Sequence, residues 1–341
     1  MTRTHCAFRQ LTASLILSSL LGLAACGGGG YGDGGGNVAS GAAPSKLFGA
    51  DSPHRAIGSL ANPNPSAGTI PVDRIIGGTF NYAGFSTNIG SLALDPALDY
   101  LYVGNGTSIL VFYGASMANG DIFPSRTIAL GGGNTGSLFL DTANNRLYVG
   151  DDVNGVKVFN GASTASGAPA PNRTITGDFG ATFVIHGVAV DTTVKNILYV
   201  SNTNHTSSSD QISVFDSADT VTGSNTPSRT ITPNPASNVG GIFLDAGHDR
   251  LYVAGGSGAT LVMVFDNAST ANGSTAPTKT ITGFPSGILN VVVDTVNDRL
   301  YAVGVSGVYI VNGASTATGS VTAVAILPPA GGSLTAVAVA P

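Results

Sequence analysis

Residues able to carry chemistry are few in this 341-residue chain, and they are widely spaced. His186, His205 and Asp210 fall within one stretch, and Asp151 and Asp152 stand side by side. Imidazole and carboxylate are the usual general acid–base pair, and two His with an Asp supply metal-ligating atoms. Their separation carries no ligand spacing, so no metal is expected. Aromatic residues Phe80, Tyr82, Phe85, Phe179 and Phe183 lie in Gly-rich segments near them, suited to capping an apolar opening or stacking on a ligand.

A second set of carboxylates recurs: Asp95, Asp141, Asp191, Asp245 and Asp294, at intervals of 46, 50, 54 and 49 residues. Five carboxylates in a ring suggest cation binding. An Asp that ends a strand and opens a turn more simply accepts backbone N–H bonds and pairs with an Arg five residues on, as at Asp141/Arg146, Asp245/Arg250 and Asp294/Arg299. The scaffold role is the expectation.

Several chemistries are excluded. All 19 acidic residues are Asp, there are only two Cys, and Trp is absent. No GxSxG, HExxH, CxxC or phosphate-binding loop occurs. Fourteen Lys and Arg are scattered through a chain of net charge −5, so nucleic acid is not an expected partner.

The elements that must position these residues are repeats. "SLALD", "SLFLD", "VAVD", "IFLD" and "VVVD" are each followed by a polar turn and an "LYV"-type segment, with tyrosines at 102, 148, 199, 252 and 301. A variable loop, a "VF" segment, a phrase such as "VFDNASTANGSTAPTKTITG" (264–283) and an "RTI"-type segment complete the unit. These are four short β-branched runs bounded by Gly, Pro, Asn and Asp, hence four antiparallel strands, a to d. Four strands every ~50 residues predict an all-β, six-bladed propeller. Five blades are complete, and the sixth is split: "SLTAVAVAP" (333–341) supplies strand a, and residues 45–77 supply strands b, c and d. The C-terminal strand closes the ring, which removes open sheet edges. Glycines at 120, 167, 223, 273 and 319 mark the c–d turns, and basic residues at 74, 126, 173, 229 and 279 are expected to guard the outer strand d from edge pairing.

The VDxxxDRLYV pattern, "VFDNAS" and "PTKTITG" resemble bacterial NHL/YVTN-type propeller repeats over residues 45–341. The resemblance implies the architecture and leaves activity open, since such propellers include ligand- and protein-binding platforms and a few metal-dependent lactonases. Those lactonases use a Glu ligand, which this chain lacks.

Residues 1–25 read as an export signal, with Arg3 and Arg9 before the apolar "LTASLILSSLLGLAA" (11–25). "LAAC" (23–26) resembles the bacterial lipobox, which makes Cys26 the lipidated first residue. Residues 26–44 then form a lipidated Cys and a Gly-rich tether, and 45–341 the propeller. Gly27 in place of Asp suggests outer-membrane sorting.

In a propeller, the d–a and b–c connections share one face, and here they vary between repeats. Functional residues concentrate on such loops. The expected protein is therefore a lipid-anchored, non-enzymatic binding module of the bacterial envelope, taking an envelope protein or small ligand on that face and needing no cofactor. Two alternatives are an envelope lactonase- or lyase-like hydrolase using Asp and His there, and a structural component of a surface array.

Overall fold

The repeats fold as six four-stranded blades, in a computed structural model that describes residues 46–340 except 62, 64–71, 79–80, 178, 180–182, 205–208, 235–237, 257 and 327–333. The signal segment, Cys26 and the Gly-rich segment lie outside the described residues, as do Phe80 and His205.

Each blade is antiparallel in the order a–b–c–d. Strands a are Ile89–Asp95, Thr135–Asp141, Phe183–Asp191, Ile242–Asp245, Ile288–Asp294 and Leu334–Ala340, in blades 1 to 6. In blade 6 the C-terminal strand pairs with Lys46–Asp51, which is followed by Ala56–Ala61 and Arg74–Ile76, so the ring closes as the split repeat predicts. The molecule is an all-β, six-bladed propeller.

Two-residue alternation puts side chains on both surfaces of every blade, and both surfaces are covered by neighbours. The core is accordingly divided into apolar clusters between blades. One joins Phe48, Ile57 and Ile76 of blade 6 to Leu101, Leu110 and Phe112 of blade 1. Another joins Tyr102 and Val111 of blade 1 to Leu147 and Phe159 of blade 2. Tyr301 and Val303 of blade 5 meet Leu47 and Val337 of blade 6. The repeated tyrosines are buried, and Tyr102 and Tyr148 donate hydroxyl hydrogen bonds of 3.1 and 3.3 Å to Ala162 O and Ala218 O in the next blade's c–d turn.

The a–b turn explains two more repeated residues. Its last position, Asp99, Asn145, Asn196, Asp249 or Asp298, has φ between 48° and 57°, a region Asn and Asp tolerate. From there Asp298 accepts from the Ser315 N–H (2.7 Å) and hydroxyl (2.8 Å), and Asp249 does the same for Ser269. The "AS" of the repeated phrase is therefore a lock between the a–b and c–d turns of one blade.

The phrase also crosses between blades. Gly120, Gly167 and Gly223 bridge in parallel to Ile76, Ile128 and Ile175 of the preceding blade's strand d, and Gly273 and Gly319 begin short strands paired to Ile231 and Ile281. Strand d is thus covered by the next blade, and this is what blunts its edge. The basic residues of strand d are clamps rather than the edge guards expected. Arg74 donates to Ser116 O (2.9 Å) and Arg173 to Ala218 O and Val221 O (both 2.9 Å), each in the next blade. Lys279 pairs with Asp266 within its own blade at 2.7 Å.

The strand-a Asp caps its turn: Asp95 accepts from the N–H of Ala97 and Leu98, Asp191 from Thr193 and Val194, and Asp294 from Val296 and Asn297. The expected Arg partners lie elsewhere. Arg250 pairs with Asp266 (2.5 Å), and Arg299 donates to Asn312 and Pro63 O. At Asp245 and Asp294 the second carboxylate oxygen is taken by His248 Nδ1 and the Asn297 amide, and the guanidinium reaches across to strand c instead.

Candidate functional site

The first residues of the six strands a surround the mouth of the central channel. The position five residues before the strand-a Asp, or before its counterpart Ala340, holds Gly90, Gly136, His186, Gly240, Leu289 and Thr335. The strand pairing skips Gly90, Gly136, His186, Leu289 and Thr335, so each is a β-bulge residue. A bulge re-aims its side chain, here toward the mouth.

Three of these positions admit only glycine. A Cβ on Gly90 would stand 2.2 Å from Thr135 O, one on Gly136 2.3 Å from Ile185 O, and one on Gly240 2.5 Å from Leu289 O. His186, Leu289 and Thr335 are the side chains the ring presents at this level.

One residue earlier, five of the six backbone N–H groups are tied to the previous blade's b–c connection or the start of its strand c. Ile89 N donates to Ser52 Oγ (2.9 Å), Thr135 N to Gly106 O (2.8 Å) and Ile288 N to Ala259 O (3.0 Å). In the two remaining cases the acceptor is a carboxylate: Ile185 N donates to Asp152 Oδ1 and Val239 N to Asp210 Oδ2, both at 3.2 Å. Asp152 and Asp210 therefore hold adjacent blades together while lining the mouth.

The result is a cavity of about 560 Å³, lined by Asp152, His186, Thr203, Asp210, Leu289, Asn290 and Thr335, among others. His186 Nε2 shares a 2.8 Å hydrogen bond with Thr203 Oγ1 on the neighbouring strand. Burial raises the Asp152 carboxyl above its ordinary value, against the lowering effect of the Ile185 N–H, and the Asp151 charge adds to the rise. Below the mouth the channel narrows to a cavity of about 180 Å³ lined largely by apolar strand-a side chains, including Leu92, Phe139, Val188, Phe243 and Val337. The site is a polar cup over an apolar shaft.

Of the residues expected here, Asp152, His186 and Asp210 come together. Asp151 does not. Its side chain is fully buried, pairs with Lys157 Nζ at 2.7 Å and accepts from the N–H of Val153 and Asn154 (both 2.9 Å). Phe85 and Phe179 are corrected as well. Both are buried under the blade tops, Phe85 against Phe112 (centroids 5.6 Å apart) and Phe179 against Phe183 (5.2 Å) and Phe215 (5.9 Å). Their loops fold back to seal the blades, so these rings are core. Phe183 is half-buried beside Phe179, and Tyr82 is exposed, stacked on Phe123 away from the mouth.

Leu289, Asn290, Thr203 and Thr335 are mouth residues that sequence reasoning missed. A signal existed: aligning repeats on the strand-a Asp puts His186, Leu289 and Thr335 in a column otherwise filled by glycine. Among the described residues no group of three His, Cys or Asp side chains is placed to hold a metal ion.

No protein-family model matches this chain, and no curated protein is similar to it. The fold therefore rests on the structure itself, and the reading of function on the site's chemistry.

Proposed function

We propose that the protein is a lipid-anchored binding module of the bacterial envelope that takes a small polar ligand in the channel mouth. The observation that carries this is the ring of bulge positions. Three are held to glycine by the neighbouring backbone, while His186 and Leu289 break the repeat, and Thr335 does so while donating to Ile89 O (2.7 Å) across the blade 6–blade 1 junction. A repeat protein diverges from its own pattern at the surface it uses. The kinship with NHL/YVTN-type repeats belongs to this reading, as does the address: signal segment, "LAAC" and lipid on Cys26, with sorting to the outer membrane.

The cup offers carboxylate, amide, hydroxyl and imidazole groups, which suits a ligand rich in hydrogen-bond donors, such as a polyol, amino sugar or polyamine. Thermal unfolding of the full chain against such a panel tests it. A ligand of the cup raises the Tm of the native chain and not that of His186→Ala or Leu289→Gly. Equal shifts for native and variant chains, or no shift with any member, would place the function elsewhere. Lipidation is read separately, as a diacylglyceryl mass on Cys26 that disappears in Cys26→Ser.

A hydrolytic reading has one supporting observation: Asp152, with its raised proton affinity, lines the same cavity as His186. Turnover of lactone or ester probes lost in Asp152→Asn would favour it.

A further inference from the structure

Blade 1 departs from the repeat on the face that the other blades build alike. Where blades 2 to 5 carry Asn160, Asp216, Asp266 and Asn312 at the end of strand c, blade 1 has Tyr113. Where they carry Thr164, Thr220, Thr270 and Thr316 in the c–d turn, it has Met117. Each of those threonines donates a hydrogen bond that closes its own turn, to Gly161 O, Ser217 O, Asn267 O or Gly313 O. Met117 gives that bond up and lies 69% exposed. Phe123, 71% exposed, stands where blades 2 to 4 have Ala170, Thr226 and Ala276.

These side chains line the outer c–d connection of blade 1, with Tyr82 and Phe123 on its blade 6 side and Tyr113 on its blade 2 side, where the neighbouring Arg126 donates to Ala162 O. Tyr82 stacks on Phe123 at 5.0 Å. Two residues on, Ser125 Oγ accepts from the Tyr113 N–H, and Tyr113 stacks on Tyr100 at 4.1 Å with the Arg126 guanidinium 5.4 Å from its ring. The other large exposed apolar side chains, outside residues 75–123, are separate valines: Val153, Val194, Val296 and Val305. A clustered apolar patch of this kind marks an interaction site, while scattered valines do not.

The chain itself indicates what covers it. Strand b of blade 6 begins at Lys46, and the Lys46 ammonium donates to Ser116 O, next to Met117 in the blade 1 turn. The described chain thus begins beside the blade 1 turn, and only 19 residues separate Lys46 from Cys26, a reach of at most about 65 Å.

We propose that this rim of blade 1 docks on the lipid surface to which Cys26 is anchored, with Met117, Phe123, Tyr82 and Tyr113 seated at the headgroup level. Tyr and Phe beside a cation suit that interface, where an apolar body and a polar tip are both satisfied. A tether this short holds the patch at high effective concentration over the bilayer, so weak contact suffices to orient the propeller. This inference rests on the lipid-anchor reading.

The chain lacks Trp, which supplies the test. Full-length lipidated protein carrying Phe123→Trp is reconstituted into phosphatidylcholine vesicles with brominated acyl chains, beside Val194→Trp in blade 3 across the ring. The expected result is blue-shifted emission and at least about twofold greater quenching for Phe123→Trp. Equal quenching of the two, on protein shown by mass to carry the lipid, overturns the docking. Absence of the lipid mass overturns the anchor reading instead. A concentration-dependent blue shift of Phe123→Trp in Cys26→Ser without vesicles assigns the patch to a second copy of the chain, and likewise overturns it.

Discussion

Lys157→Met is the most demanding single test of the assignment made for Asp151. The pair is buried, Lys157 7% and Asp151 0% exposed at the side chain, and every donor of the ammonium is used: Asp151 Oδ2 at 2.7 Å, Leu130 O at 2.8 Å and Gly132 O at 3.0 Å. Equivalent positions in blades 1 and 4 hold Leu110 and Met263, so methionine fits the strand. At 2.7 Å the Coulomb attraction at an effective dielectric of 20 is about 6 kcal/mol, most of which offsets desolvation. Removing one partner leaves an uncompensated buried charge and two orphaned carbonyls, so the expected loss is about 3–5 kcal/mol. That is a large share of the roughly 5–15 kcal/mol that holds a typical domain.

The second arm is Lys157→Met with Asp151→Asn. The amide oxygen of Asn still accepts from Val153 and Asn154 and no charge is buried, so the double variant should be about 2 kcal/mol more stable than the single, short of native because Leu130 O and Gly132 O stay unpaired. Guanidinium unfolding at pH 7, followed by circular dichroism, reads both. Hydrogen exchange should rise at 130–136 in the single variant, because Lys157 ties down the loop that leads into the mouth at Thr135. A single-variant loss under about 1 kcal/mol, or a double variant as weak as the single, would refute the argument.

Three further predictions concern the c–d crossing and the cup. Gly167→Ala should cost about 1–2 kcal/mol, since φ is 74° but nothing lies within 4 Å of an added Cβ. Gly136→Ala should cost about 3 kcal/mol or more, because the Cβ meets Ile185 O at 2.3 Å; equal midpoints in thermal unfolding would contradict the bulge-ring account. Asp152→Asn keeps an acceptor for the Ile185 N–H while removing a charge that burial disfavours. A raised folded-state pKa means that native stability declines as pH rises above the unfolded value of about 3.9. The variant should therefore match or exceed native stability at pH 7, with the difference closing toward pH 4 in urea titrations; a variant weaker at pH 7 than at pH 4 would reverse the sign.

Blade number, strand order and the split closure were legible because each depends on local pattern. Alternating apolar residues, Asn or Asp at a positive-φ turn and Gly at the c–d crossing act within about fifty residues, and repetition makes them visible. The candidate site was legible only in part. Asp151 and Asp152 are adjacent in the chain, yet one turns to Lys157 and the other to the Ile185 N–H of the next blade. Phe85 and Phe179 sit in loops that vary between repeats, yet both are core, because their partners Phe112 and Phe215 are set by how each loop folds over its blade.

The division has a physical cause. The sequence by itself determined the propeller, since strands and turns follow from residue preferences that a neighbour seldom overrides. Only the tertiary structure decided which polar groups serve the scaffold and which line a cavity, because that depends on carbonyls and N–H groups brought from the adjacent blade. The bulge ring joins the two levels: its column of residues can be read along the chain, but the glycines are held there by backbone oxygens some fifty residues away.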